Sequence, residues 1–280
     1  MTRSRKQILN AKRTFIATCI ALAGLAPAAA QAQAADDKWH FEATLYGWFP
    51  GIRGDTSFSV PGSGSPTIDL SSSDVIDALK MAFMGNFAAR RGEWGIFTDF
   101  VYSDLGGDKS GTRDFTVGHR ELPAGVSGNL DLDVKTYIWT IAGTYNLASK
   151  PEWSADLLFG ARMLQMDQTL DWGFNGNIAG LPVGSRSGST TVDSTEWDAI
   201  IGVRGRVNFG SDRKWFVPYY LDMGTGQSQF TWQAVLGLGY DFGWGTVGAA
   251  WRYLDYNFKS SSAVSSMSMS GPAVGVSFRF

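Results

Sequence analysis

Strict alternation of apolar residues with small or polar ones runs through most of this chain and limits its fold more than any other feature. In TWQAVLGLGYDF (231–242) almost every second residue is apolar, and GPAVGVSFRF (271–280) closes the sequence with the same period. A period of two places alternate side chains on opposite faces of a β-strand. The same pattern in 153–163, 196–209 and 246–253 predicts an all-β protein.

The composition favours many strands joined by tight turns. The 280 residues include 34 Gly, 11 Trp, 18 Phe and 9 Tyr but only 9 Pro. Aromatic residues are enriched in strands, and glycine is common where strands turn or approach closely. A helical protein is not expected from this balance.

The first residues predict a secretory signal peptide over 1–34, which leaves 35–280 as one barrel domain. A basic start (MTRSRKQILNAKR) precedes a short apolar run and the small residues of AAAQAQA, as in cleaved signal sequences. The lone cysteine, Cys19, lies in this segment. Without its five Lys and Arg, the mature chain has 19 basic and 26 acidic residues, a formal charge of −7. An acidic chain argues against nucleic acid as a partner.

Tryptophans recur at the start of predicted strands, directly after short polar turns such as RRGEW and GSDRKW. Tryptophan prefers the boundary between membrane and water because an apolar ring carries a hydrogen-bonding edge. Placed beside short turns, these residues predict the periplasmic aromatic girdle of an outer-membrane barrel. The predicted girdle comprises Trp39, Trp94, Trp153, Trp215, Trp244 and Phe280.

The connections between predicted strands are unequal in length. Long Gly-, Ser- and Asp-rich stretches are expected over 50–80, 106–129, 171–193 and 259–270, and they alternate with short turns. Ten strands follow, near 39–49, 81–90, 94–105, 130–147, 153–170, 194–209, 214–224, 229–242, 245–258 and 271–280. Because a sheet in a bilayer must pair all its backbone groups, the last strand is expected to pair with the first.

These features predict a closed antiparallel up-and-down transmembrane β-barrel of about ten strands (8–12), with short periplasmic turns and long extracellular loops. A barrel of about ten strands has room for side chains and some water, but not for an open porin channel.

The ending GPAVGVSFRF, with its terminal phenylalanine, resembles the terminal signature of bacterial outer-membrane barrels. MAFMGNFAARRGEWGIFTDFVYSDLG, TWQAVLGLGYDFGWG and WRYLDYNF resemble segments of a family of small proteobacterial outer-membrane β-barrel proteins, most of them without assigned activity. The resemblance implies location in the outer membrane, contact with its lipid and lipopolysaccharide, and recognition of the last strand by the barrel assembly machinery.

Charged residues on the small or polar face are expected to point into the lumen. They are Glu42, Arg90, Asp99, Asp156, Arg162, Asp198, Arg204, Arg206, Asp222, Arg252 and Arg279. One interpretation is a mutually paired polar core, since buried charges persist when paired and hydrogen-bonded. The other is a narrow charge-lined pore or a binding cavity for a small solute. A non-enzymatic role is expected in either case.

Two further functions stay open as alternatives. A surface hydrolase acting on lipid or peptide would centre on His119, near Glu121 and Ser127, since an activated nucleophile needs a base and an orienting acid. We interpret His119 as a solvated loop residue and expect no catalytic residues. The other alternative is adhesion or interaction through the extracellular loops. No metal or cofactor spacing is present.

The first long connection contains the one helical signal. TIDLSSSDVIDALKMAF (67–83) offers a Ser/Asp cap and places Val75, Ile76 and Leu79 at helical spacing, which predicts a short amphipathic helix. This helix either braces the strands or folds over the mouth as a gate. The Ser- and Met-rich stretch KSSSAVSSMSMS (259–270) is interpreted as a flexible loop.

Overall fold

The computed structural model describes residues 38–56, 67–106, 126–178, 181–259 and 264–280. The described elements are β1 (Trp39–Trp48), β2 (Gly51–Thr56), β3 (Thr67–Leu70), α1 (Ser72–Ala78), β4 (Leu79–Arg91), β5 (Trp94–Leu105), β6 (Val126–Ser149), β7 (Trp153–Ile178), β8 (Leu181–Phe209), β9 (Trp215–Gly226), β10 (Phe230–Asp241), β11 (Thr246–Asn257) and β12 (Val264–Arg279). The predicted signal peptide lies outside the described residues.

The sheet closes on itself through antiparallel pairing of the first and last strands. The order is β1-β4-β5-β6-β7-β8-β9-β10-β11-β12, and β12 returns to β1 with Leu45 opposite Val276. Reciprocal backbone hydrogen bonds between Phe41 and Phe280 extend this seam. The sequence prediction of a ten-stranded closed barrel is confirmed.

The strand β2 continues β1 beyond Pro50 and pairs with the outer part of β12, where Ile52 lies opposite Met269. Proline has no N–H to donate to the sheet, so the ladder is interrupted between β1 and β2. The hairpin β2–β3 then leads into α1. Because β1 and β2 share the partner β12, together they occupy one strand position of the barrel, interrupted at Pro50.

The two ends of the barrel differ. The inner end carries the turns 92–93, 150–152, 210–214 and 242–245, together with the start of β1 and the end of β12. The outer end carries the connection from β1 to β4 and the connections that follow β5, β7, β9 and β11. Short turns at one end are typical of the periplasmic side of outer-membrane barrels.

Two of the predicted long loops are instead strand. Residues 171–178 and 181–193 belong to β7 and β8, which pair as one hairpin out to Ile178 and Leu181. Residues 264–270 likewise belong to β12. The segment 126–129, predicted as loop, starts β6. Beyond the lipid, the outward face no longer needs apolar residues, so alternation fades from the sequence while the hydrogen-bond ladder continues.

The predicted helix in the first connection is confirmed as α1. Ser71 is its N-cap, with a capping box in which the Ser71 hydroxyl accepts from the Asp74 N–H and the Asp74 carboxylate accepts from the Ser71 N–H. This arrangement satisfies two of the N–H groups that a helix start leaves open. Val75 is buried against the barrel. Within the described part of the chain, no helix is long and apolar enough to cross a bilayer.

Side chains alternate between lumen and exterior along the strands. Leu236, Trp251 and Ile201 face outward and remain 63%, 57% and 55% exposed, whereas Ile138 and Leu158 face inward and are fully buried. Phe278 also faces outward. On β5, Tyr102 lies eight positions after outward-facing Trp94. At about 3.3 Å per residue and a tilt of about 40°, they span about 20 Å, close to the height of an apolar membrane band.

Candidate binding cavity in the barrel lumen

A layer of buried ion pairs crosses the middle of the lumen. Arg252 on β11 donates to the Asp99 carboxylate on β5 at 2.8 Å and to the Tyr46 hydroxyl at 2.7 Å. Tyr46 in turn donates to Asp99 at 2.6 Å, and the Gln233 amide oxygen accepts from Arg252 at 2.8 Å. The guanidinium also stacks on Trp48, 4.6 Å from the ring centroid. These contacts compensate the buried charge, as a low-dielectric interior requires.

The second ion pair of this layer joins Arg162 on β7 to Asp222 on β9, and both side chains are fully buried. Arg162 also donates to the Thr140 hydroxyl at 3.3 Å. The Tyr220 hydroxyl donates to the same Asp222 carboxylate. The two strands are separated in the sheet only by β8, so the pair links strands on the same side of the wall.

Apolar side chains fill the lumen on the outer side of this ion-pair layer. This outer core consists of Trp48, Met84, Val101, Ile138, Leu164, Met166, Leu254, Tyr256, Phe258, Met267 and Met269. Val75 of α1 borders a small cavity of about 170 Å³ beside it. Interiors packed in this way exclude water. The described side chains of this outer core therefore place a mostly apolar filling between the ion-pair layer and the outer end.

On the inner side of the layer the lumen holds a cavity of about 950 Å³. Its floor includes Tyr46, Asp99 and Arg252 of the ion-pair layer, and its rim includes Lys150 and Pro151 of an inner-end turn. This inner cavity therefore opens at the inner end of the barrel. Its volume lies within the range of pockets that hold small molecules.

Positive charge exceeds negative charge on the wall of the inner cavity. Seven Lys and Arg side chains line it, against three Asp and Glu side chains. The cations are Arg90, Lys150, Arg204, Arg206, Arg213, Arg252 and Arg279, and the carboxylates are Glu42, Asp99 and Asp156. A surplus of four positive charges thus faces this space, although the mature chain predicted above is acidic.

The carboxylate of Glu42 is shared between two arginines. Arg279 donates from Nε to Glu42 at 2.8 Å, and Arg204 contacts the other carboxylate oxygen at 3.5 Å. Arg279 also lies 3.8 Å from the Asp241 carboxylate. Among the described residues, no carboxylate lies within ion-pair distance of Arg206, and its buried Nη1 has no hydrogen-bond partner.

Aromatic rings support two of these arginines. The guanidinium of Arg204 lies 4.4 Å from the centroid of Phe97, and that of Arg206 lies 5.2 Å from the centroid of Phe216. Phe216 packs directly on the backbone of Gly239, where a Cβ would lie 2.3 Å from the ring. Stacking on a ring occupies the flat face of a guanidinium and leaves its N–H edge available.

The structure separates the predicted lumen charges into groups. Asp99, Arg162, Asp222 and Arg252 form the ion-pair layer, and Glu42, Arg90, Arg204, Arg206 and Arg279 line the inner cavity. Asp156 also lines the cavity and accepts from the Asn146 amide at 2.7 Å. Asp198 is buried elsewhere, where it accepts from Ser228 N–H and hydroxyl groups and holds the β9–β10 turn.

The residues predicted as a girdle lie at the inner end with their rings exposed on the barrel exterior. The exposed fractions are 54% for Trp39, 59% for Trp94, 38% for Trp153, 43% for Trp215, 62% for Trp244 and 69% for Phe280. Neighbouring rings contact one another, as in Trp215–Tyr240 and Phe242–Trp244. They form a band of aromatic contacts around this end.

Sequence reasoning missed the outer core. It considered the inward-facing charges but overlooked that, toward the outer end, the next inward-facing residues on the same strand are apolar. Arg162 on β7 is followed by inward Leu164 and Met166. Met267 and Met269, interpreted as loop residues, are buried in this core. Their alternation with serine was the signal that identifies them as strand.

The sequence also gave no role to uncharged cavity residues such as Tyr46, Gln233 and Phe216. His119, the centre of the hydrolase alternative, lies outside the described residues. Within the described ranges, no group of three or more His, Cys, Asp or Glu side chains is arranged to hold a metal ion.

Comparison with known proteins supports the fold. No family model matches the sequence, and no curated protein matches it either. The structure of the outer-membrane protease OmpT from Escherichia coli is similar, with a TM-score of 0.53 and 9% identity over 89% of this chain and 99% of that one.

Two other barrels also match at lower structural similarity. Neisserial surface protein A has a TM-score of 0.32 and 12% identity, covering 86% of this chain and 97% of its own. The attachment invasion locus protein Ail of Yersinia pestis has a TM-score of 0.29 and 13% identity, covering 87% of this chain and 99% of its own. At these identities the likeness concerns the fold alone. Closed pairing, an apolar exterior and the likeness to OmpT together show that the chain has the fold of a bacterial outer-membrane β-barrel.

Proposed function

We propose that this protein is a non-enzymatic barrel that binds a small solute in the inner cavity, from the periplasmic side. The observation that carries the proposal is the cavity of about 950 Å³ that opens at the inner end. All four connections at that end have two to five residues, and the start of β1 and the end of β12 lie there, as expected of a periplasmic side. A concave site with a few placed polar groups is the usual form of a small-molecule site.

The described lumen does not support a permanently open pore. A solute that enters the inner cavity meets the Arg252–Asp99 and Arg162–Asp222 pairs and then the outer core. Apolar constrictions block ions because water leaves them. Passage would therefore require the outer core to rearrange. The helix α1, whose Val75 borders this core, is the element that would brace it or move as a gate.

The exterior of the barrel supports a second part of the proposal, which concerns the membrane. The exposed aromatic band at the inner end, from Trp39 to Phe280, would contact lipid at the periplasmic boundary. Lipopolysaccharide would surround the outer half. The C-terminal strand, with Phe278 and Phe280 outward, would be recognised by the barrel assembly machinery.

The two alternative functions remain predictions, because they rest mainly on loops outside the described residues. Hydrolysis of lipid or peptide by the purified protein, lost in His119→Ala, would support the surface hydrolase. Binding to cells or partners that disappears when residues 107–125 are deleted would support an adhesion protein. Neither result is expected if the inner cavity is the functional site.

Cysteine labelling tests whether the cavity is accessible while the outer core is closed. The only native cysteine is Cys19, in the predicted signal peptide, so an introduced thiol is unique in the mature chain. Ser154→Cys places a thiol on the cavity wall. Val101→Cys is the control in the outer core, where the native side chain is 3% exposed.

In lipid nanodiscs, a charged water-soluble maleimide is expected to modify Ser154→Cys at least tenfold faster than Val101→Cys. Equal rates would contradict the division of the lumen.

In planar bilayers the intact protein is expected to show no steady conductance. Deletion of residues 70–80 then decides the role of α1. If the deletion produces conductance, α1 is a gate; if the conductance stays at zero, α1 braces the strands.

A further inference from the structure

We infer that the solute of the inner cavity is a small carboxylate or phosphate anion with a charge of about −2 or more. This inference rests on the proposed function and names its ligand class. It starts from the surplus of positive charge on the wall, where seven cationic side chains face three carboxylates. In a site partly screened from water, such a surplus attracts and concentrates anions.

The surplus is greatest around Glu42, where the carboxylate has two arginine neighbours. Arg204 and Arg279 both contact this one side chain. Arg206 lies two residues from Arg204 on the same face of β8 and is near the charges of Arg279, Glu42 and Asp241. Two carboxylates, Glu42 and Asp241, therefore serve a group of three guanidinium ions. Counted with Glu152 and Asp241, which pair with Arg213 and Arg279, five carboxylates face the seven cations of the cavity. The excess of two positive charges is what an added dianion would balance.

The unpaired donors point to the kind of anion. A guanidinium carries five N–H donors in a planar fork that matches carboxylate and phosphate oxygens. Arg206 makes no ion pair within the described part of the chain, and its buried Nη1 lacks an acceptor. A buried donor without an acceptor is costly. Because Arg206 lines the cavity, a ligand oxygen bound to its guanidinium would offset that cost.

The cavity is also organised before a ligand arrives. Phe97 and Phe216 hold Arg204 and Arg206 by their flat faces, so the N–H edges are fixed without being consumed. Fixing long side chains in advance reduces the entropy lost on binding. The Phe216 ring can pack in this position only because residue 239 is glycine, since any Cβ there would overlap the ring.

The position of the cavity favours a soluble anion over a lipid headgroup. The walls are formed by ten paired strands, and the opening lies at the inner end. A headgroup in the surrounding leaflet would have to leave the bilayer and pass the rim to reach Arg206. A free di- or tricarboxylate or a phosphate compound in the periplasm needs only to diffuse in.

Calorimetric titration at low salt tests the inference with citrate and inorganic phosphate as probes, and with glucose and putrescine as neutral and cationic comparisons. The protein is used in phosphatidylcholine nanodiscs. Citrate and phosphate are expected to bind, and glucose and putrescine are not. Arg206→Gln is expected to weaken citrate binding at least tenfold.

Arg213→Gln is the matched control, because Arg213 is at the rim of the same cavity but is paired with Glu152 at 2.7 Å. It is expected to change citrate affinity less than twofold. Equal losses in Arg206→Gln and Arg213→Gln would overturn the assigned site. Binding of glucose with no binding of citrate or phosphate would overturn the ligand class.

Protection of the Ser154→Cys thiol separates failure of this inference from failure of the proposed function. Citrate is expected to slow labelling of this thiol at least threefold. A thiol that reacts readily and is protected by none of the probes means an open cavity that does not take anions, which overturns the inference alone. A thiol that never reacts means that no accessible cavity exists, which overturns both.

Discussion

The inner and outer halves of the lumen are built from the same strands and contain opposite chemistry. On β11 the inward residue Arg252 is followed, toward the outer end, by Leu254 and Tyr256; on β5, Asp99 is followed by Val101. Polar and apolar segments change over at the same depth on different strands. The lumen is therefore divided by level, although each strand crosses both levels.

The division separates stability from binding. Burial of each large apolar side chain contributes about 1.5–3 kcal/mol, so the outer core stabilises the barrel and closes it. The inner cavity keeps charged groups beside open space, which contributes little to stability but leaves donors for a ligand. A barrel filled entirely like its outer half would be more stable and would bind nothing.

The largest expected effect comes from breaking the ion-pair layer. Asp222→Asn leaves fully buried Arg162 without its counter-charge, and we expect a loss of about 3–5 kcal/mol in the free energy of unfolding. Urea unfolding in lipid vesicles, followed by tryptophan fluorescence, measures the loss. The double variant Arg162→Met/Asp222→Leu is expected to lose less, because no charge is stranded. A single variant as stable as the native protein would contradict the role of this layer.

Truncation in the outer core is expected to have the next largest effect. Leu254→Ala removes a fully buried side chain and leaves a cavity, at a cost of about 2–5 kcal/mol. The control is Leu236→Ala on the exterior, where the side chain is 63% exposed and lipid can fill the space. Its loss is expected to be smaller in the same unfolding assay. Equal losses would show that the outer core is not tightly packed.

A substitution that displaces Phe216, the ring on which Arg206 stacks, tests ligand binding in the inner half. Gly239→Ala places a methyl group 2.3 Å from the present position of the Phe216 ring, which must shift at a cost of about 1–3 kcal/mol. Citrate binding is expected to weaken together with stability. Gly54→Ala is the control, because its nearest atom is Ser266 O at an ordinary 3.4 Å. Unchanged citrate affinity in Gly239→Ala would show that Phe216 does not position Arg206.

An ion pair at the outer rim is expected to matter least. Arg53 and Asp69 pair at 3.0 Å with side chains that are 67% and 61% exposed. Solvent screens such pairs, so Arg53→Gln should cost less than about 1 kcal/mol. The same urea titration measures it. A loss as large as that of Asp222→Asn would remove the distinction between buried and exposed pairs on which the comparison rests.

Prediction from sequence succeeded where a local repeat decides the outcome. The final strand GPAVGVSFRF was placed correctly against the first, because unpaired edges cannot lie in lipid. The capped segment around Ser71 was placed correctly as a helix, because cap and spacing are both local. The hairpin 171–193 was wrongly predicted as loop. Outside the lipid a paired strand needs no apolar face, so the alternation on which the prediction relied is missing there.

The candidate site could be predicted only in part. The inward direction of Arg206 and Glu42 follows from alternation on their own strands. Their heights and partners do not, because β1 and β8 are far apart in the sheet and meet only across the lumen. The support of Arg206 by Phe216 depends in the same way on how the wall curves.

The sequence by itself therefore determined the sheet, its closure and the direction of side chains in the strands that alternate, because a period of two fixes the face of a residue whatever its partners are. Only the tertiary structure decided that Arg252 meets Asp99, 153 residues away, while Arg206 meets no carboxylate among the described residues. Those contacts depend on strand register and barrel curvature, which set the depth at which inward side chains face one another. At the outer depth apolar side chains face one another and close the lumen. At the inner depth arginines outnumber carboxylates, which produces the cationic surplus.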